Sequence, residues 1–241
     1  MKNSTYLVSL LLFCAGCATT PLNEAKRQEV NNVGAAVLFN EELPLAYVGT
    51  TIFNNEKNKV NIAGWNLNEI VSNEISSQFK SINKTYKKIN FDKAKVNAAI
   101  QSGNTVMKQY LGTTEDELNN YLFETASNQG AEYLFIFKPI KSDNFPHPKG
   151  FGLFCGGAFG AKGDWQAYNL FHVALWDLKT KSKIYQTAFT PNELDYKSGK
   201  PCVEAKGSTP EKFALGFKDQ FQQLAKKSAQ MTIKSSGLIA K

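Results

Sequence analysis

A single α/β domain, a mixed-sheet sandwich with helices packed on the sheet, is what the sequence predicts, and three observations predict it. Residues 131–138, Ala-Glu-Tyr-Leu-Phe-Ile-Phe-Lys, form a nearly continuous apolar run of strand length, as expected of a strand covered on both faces. Apolar residues at helical spacing recur on both sides of that run. Two β-rich stretches, 166–178 and 184–190, flank Lys179-Thr180-Lys181-Ser182 as a hairpin. With 241 residues and 42% hydrophobic composition the chain can bury a core of its own.

Taken in order, Lys2 and the apolar run Tyr6 to Phe13 read as a secretory signal, too short to cross a bilayer. Cys14-Ala15-Gly16-Cys17 then resembles the bacterial lipobox. That resemblance implies cleavage after residue 16 and acylation of Cys17, palmitate among its three chains. Ala18, rather than Asp, after the lipidated cysteine implies the outer membrane, on its periplasmic side. Residues 17–31 are polar and read as a tether reaching about 48 Å when extended and about 20 Å as a coil. The folded domain is expected over 32–231 and a flexible tail over 232–241.

Within the domain, 33–39 and 47–53 read as a strand pair around a Glu-Glu-Leu-Pro turn, and 54–64 as a polar connection. A helix is predicted over 65–82, with Leu67, Ile70, Val71, Ile75, Phe79 and Ile82 on one face and Asn66 with Glu69 at its start. Residues 86–91 make a weak strand. Asp92 opens a second helix reaching Tyr110. Thr114 and Glu117 suit a capping box for a third, with Leu118, Tyr121, Leu122 and Ala126 inward and Gly130 closing it. Residues 142–165 read as a Gly- and Phe-rich loop before the hairpin. Ser208-Thr209-Pro210-Glu211 starts a last helix, over 210–231, with Phe213, Phe217, Phe221, Leu224 and Ser228 inward.

This pattern resembles a group of envelope lipoproteins that share one small α/β domain: the curli secretion channel subunit (CsgG), the lipoprotein activators of penicillin-binding proteins, and the N-terminal domain of the Tol-system propeller protein (TolB). Residues 128–137 match their helix end, Gly-Ala-Asp and buried strand. Residues 173–185 match their strand, turn and return strand, with Lys181 where the group usually has Gly. The resemblance implies protein binding or self-association, with no catalytic residues to carry over.

The net charge is +7, yet Arg27 is the single arginine among 28 basic residues. Base and phosphate recognition favour the forked guanidinium, so nucleic-acid binding is not expected. His147 and His172 are too few for a metal cluster. The glycines of 156–163 fail as a phosphate loop because Lys162 is followed by Gly163. No metal, cofactor or catalytic residue is expected. A hydrolase using Asp164, His172 or Asp177 would rest on residue types alone.

Two cysteines remain after processing, Cys155 and Cys202. In an oxidising compartment they are expected to pair, against two buried free thiols. Phe151, Leu153, Phe154, Phe159 and Trp165 alternate with glycines in the 145–165 segment. They either present a partner-binding surface or fold back onto the sheet edge. The expected function is a non-enzymatic adaptor or regulator that binds envelope proteins. The alternative is a self-associating subunit of an envelope assembly resembling the curli channel.

Overall fold

The computed structural model of the chain describes residues 20–48, 56–102, 113–140, 149–156, 163–190, 193–201 and 208–239. In chain order the first half carries α1 (Glu24–Glu29), β1 (Val33–Val37), β2 (Glu42–Val48), β3 (Glu56–Asn61), α2 (Leu67–Ser81), β4 (Tyr86–Lys87), α3 (Lys93–Ser102) and α4 (Thr113–Asn128). The second half carries β5 (Tyr133–Pro139), β6 (Gly150–Gly156), β7 (Asp164–Asp177), β8 (Ser182–Phe189), β9 (Asp195–Pro201), α5 (Pro210–Leu215) and α6 (Lys218–Ser236). The nine strands join in one mixed sheet, so the fold is α/β as the sequence predicts.

Strand β7 organises the sheet. Its C-terminal half pairs with β5 on one edge and β8 on the other; its N-terminal half pairs with β6 and β9. Beyond β5 lie β1 and then β4, both parallel. Beyond β6 lies parallel β2 and then antiparallel β3. Two half-sheets therefore share one long strand.

The first half-sheet is covered on both faces. Tyr133, Phe135 and Phe137 of β5 enter one core with Val71, Ile75 and Phe79 of α2 and Phe221, Ala225 and Ile233 of α6. Leu134 and Ile136 enter the other with Val96 of α3 and Leu118, Leu122 and Ala126 of α4. That division by parity is why residues 133–137 lack polar alternation. Gly130 ends α4 at φ 84°, and the Ala131 N–H closes onto the Ala126 carbonyl at 3.0 Å, so the chain turns directly into β5. Where the half-sheets meet, Phe39 stands edge-on to Phe137, Phe151 and Phe171 at centroid distances of 6.0, 5.0 and 5.4 Å.

Several expectations are corrected. Of the expected pair 33–39 and 47–53, residues 49–53 lie outside the described residues; β1 takes β5 as its partner, and the expected turn is part of β2, which pairs with β3 and β6. The polar connection contains β3, an edge strand whose only buried residue from 57 to 61 is Val60, with Lys57 and Lys59 exposed. Such lysines discourage pairing with another chain. β9 was not foreseen, and Gly216 divides the last helix into α5 and α6. Asn66 holds φ 54° at the start of α2 and makes no side-chain cap.

The described parts of the expected tether and tail belong to the fold. Within the expected tether Asn23 caps α1, Leu22 and Val30 are buried, and the Leu22 N–H donates to the Ser236 carbonyl at 2.9 Å. Within the expected tail α6 continues to Ser236, with Ile233 and Leu238 buried. The two ends pack on one another, which polar composition alone does not reveal.

The β7–β8 turn shows how a lysine replaces the expected glycine. Asp177 Oδ1 accepts the Lys179 and Thr180 N–H groups at 3.0 and 3.1 Å, and Lys181 then takes φ 52°. The substitution Lys181→Gly should raise stability by about 0.5–1 kcal/mol, the relief of a left-handed Cβ less the greater freedom of glycine in the unfolded chain. A lower urea midpoint for the variant would contradict this geometry. Gly152 pairs across from Tyr168, which is fully buried, and a Cβ at 152 would overlap the phenol ring. Gly152→Ala should therefore cost about 1–3 kcal/mol. Combining it with Tyr168→Leu should lose less than the sum of the two single losses in the same titration.

Candidate functional site

At the β3 side of the second half-sheet, Leu45, Tyr47, Asn58, Trp165, Ser208, Pro210 and Phe213 line a cleft of about 210 Å³. Strand parity supplies two walls. Leu43, Leu45 and Tyr47 of β2 alternate inward, as do Trp165 and Ala167 of β7. The third wall is α5, whose start is fixed by the Thr209 side chain accepting the Lys212 N–H at 3.3 Å and by Pro210 in the first turn. One turn later Phe213 meets Trp165 at a centroid distance of 4.9 Å, while Tyr47 tilts over Trp165 at 6.4 Å.

Trp165 is 3% exposed, yet its Nε1 has no hydrogen-bond partner. A buried donor left unpaired costs about 1–3 kcal/mol. The cleft thus combines aromatic walls with Asn58 and Ser208 at its lining. Chemically it suits an apolar group.

The aromatic segment expected to bind partners is largely core. Gly150–Gly156 is β6 rather than loop, and Phe151 and Leu153 are fully buried. Phe151 packs edge-on against Phe39 and Phe221. Phe154 is half-buried, and Phe159 lies outside the described residues. Of the four candidates among the described residues, Trp165 alone lines the cleft. Sequence reasoning missed Tyr47, Asn58 and Phe213 as its companions. The available signals were the inward position of Phe213 on its helix and Pro210 at the helix start.

Cys155 is fully buried and disulfide-bonded. Cys202, its expected partner, lies outside the described residues, one position beyond Pro201, which pairs with Asp164. Cys17 and His147 lie outside them as well.

The residues of the hydrolase reading are spread along β7. At about 3.3 Å per residue, His172 stands roughly 16 Å from Asp177 and 26 Å from Asp164 along the strand. Asp177 instead serves the turn and α1, where Lys26 Nζ reaches its Oδ2 at 3.4 Å and Glu29 Oε2 at 2.9 Å. Among the described residues no three His, Cys, Asp or Glu side chains group as a metal site. No helix among them is long and apolar enough to cross a membrane.

No family model matches the chain, and no curated protein does. Among solved structures the chain is similar to the hypothetical protein CT253 from Chlamydia trachomatis at 16% sequence identity and a TM-score of 0.31. That match covers 88% of this chain and 100% of the other.

Burial opposes the charge on Asp177, but the Thr180 backbone N–H and the Lys26 ammonium outweigh it and hold the carboxyl below its ordinary value. A carboxylate depressed on folding contributes stability that is present above its unfolded value and lost as pH falls through its folded one. Asp177→Ala should cost about 1–3 kcal/mol at neutral pH, where charged hydrogen bonds are removed. The gap to the unmodified protein should narrow in acid below the ordinary carboxylate range. A gap that stays constant across an acid series of urea titrations would contradict this role.

Proposed function

We propose that the protein is a non-enzymatic lipoprotein, anchored through Cys17 to the periplasmic side of the outer membrane, that binds another envelope protein through the Trp165 cleft. The aromatic cleft walled by Tyr47, Trp165, Phe213 and Pro210 is the observation that carries this reading. An apolar side chain of the partner would fill the space between Tyr47, Phe213 and Pro210. The volume supports a protein partner over a small-molecule ligand. Pockets for drug-sized ligands enclose about 300–1,000 Å³, whereas this cleft, at about 210 Å³, suits one anchoring side chain. The resemblance to envelope protein-binding domains agrees with that reading, and the lipobox supplies the anchor.

A photo-crosslinking residue placed at exposed Asn58 in intact cells should capture one heterologous envelope protein. Tyr47→Ala removes one half-buried wall of the cleft. It should reduce that capture about tenfold, the value of roughly one anchoring aromatic contact. Capture unaffected by Tyr47→Ala would place the partner elsewhere. A ladder of self-copies would favour a channel-like assembly instead.

A further inference from the structure

Five peptide steps, from residue 17 to residue 22, are all that separate the expected lipid-bearing Cys17 from a docked backbone. However they run, they span at most about 18 Å. From Leu22 onward the chain belongs to the domain. Leu22 donates to Ser236, Lys26 reaches Asp177, and Lys84 Nζ donates to the carbonyls of Arg27 and Val30 at 2.7 and 2.5 Å. The lipid would therefore hold one particular pole of the domain at the bilayer: α1, the C-terminal end of α6 and the β7–β8 turn.

The charges at that pole divide into committed and uncommitted groups. Lys26 pairs with Glu29 and Asp177, and Arg27 with Glu24 at 3.1 Å. Lys183 is bonded to Gln186 and lies over the Trp176 ring. Lys179 and Lys181 at the turn and Lys234 in the last turn of α6 remain exposed with no ion pair among the described residues, and Glu132, also exposed, is a nearby carboxylate without an ion pair there.

We infer that this pole is a membrane-contacting surface on which Lys179 and Lys181 meet the anionic headgroups of the phospholipid leaflet that holds the lipid. The inference rests on the proposed acylation of Cys17 and adds an orientation to it. Each lysine near an anionic surface gains about a fivefold preference for it, and the gain fades over about 8 Å. A tether of about 18 Å permits that approach. The same orientation places the Trp165 cleft away from the membrane. Along α6, Ser236 and the α5 end are about 28 Å apart, and Trp165 and Asp177 are about 40 Å apart along β7.

The test uses the full acylated chain in three settings: vesicles of phosphatidylethanolamine with phosphatidylglycerol, vesicles of phosphatidylcholine, and detergent micelles. Lysines are acetylated briefly and read by mass spectrometry, together with the mass of the N-terminal peptide. On the anionic vesicles, labelling of Lys179 and Lys181 should fall about fivefold or more relative to micelles, with Lys212 on α5 unchanged. An acylated Cys17 with Lys179 and Lys181 labelled as in micelles would overturn the orientation and leave the anchor standing. Equal protection on both kinds of vesicle would overturn the headgroup contact. An N-terminal peptide without acyl mass would overturn the anchorage itself.

Discussion

Strand β7 is paired along both edges over nearly all its length, and the rest of the structure depends on that. Along residues 164–177 it hands from one pair of neighbours, β6 and β9, to another, β5 and β8. Pairing on both edges makes β7 the central strand of both half-sheets, and packed side chains cover its middle on both faces. Every residue from Ala167 to Phe171 is accordingly buried. The rings of Phe39, Phe137, Phe151 and Phe171 close the seam, each edge-on pair adding about 0.5–1.5 kcal/mol beyond its burial. Neither half-sheet can open alone without exposing this seam.

The parts of the fold legible in the sequence were those whose period is set by one local face. Leu67, Val71, Ile75 and Phe79 announce α2, Leu118, Leu122 and Ala126 announce α4, and the β7–β8 hairpin and β5 read directly. The parts that were not legible depend on distant partners. Glu42-Leu43-Pro44 looks like a turn until β6 and β3 pair with its strand. β6 reads as loop because Gly150 and Gly152 alternate with Phe151 and Leu153 on its other, also buried, face. At Gly152 the Tyr168 phenol fills the space a side chain would take, and burial pushes that phenol's pKa up. α1 has only Leu22 and Val30 to anchor its surroundings, too sparse to make a pattern.

The candidate site shows the same division. Aromatic residues in a glycine-rich stretch suggested a contact surface, but Phe151 and Leu153 are spent on the seam. Trp165, at the end of β7 where pairing thins, keeps a donor unused. Its neighbours come from residues 45, 47, 58 and 208–213, which no local window joins. The cleft is small and lies at the other end of β7 from the β7–β8 turn. Docking of α1 makes residues 22–30 part of the domain, where polar composition suggested a free tether.

Native-state hydrogen exchange on the full chain tests this account most directly, because it reads whether the N-terminal segment is part of the fold. The Arg27 and Val30 amides, bonded to Asn23 and Lys26 carbonyls at 2.9 and 3.0 Å, and the Leu22 amide, bonded to Ser236, are the reporters. Protection of the Leu22 and Val30 amides well above the unfolded-chain rate, and lost when Lys26 or Asp177 is replaced by Ala, is the result expected. Exchange of those amides at the rate of a free tether, while the β7 amides stay protected, would contradict it.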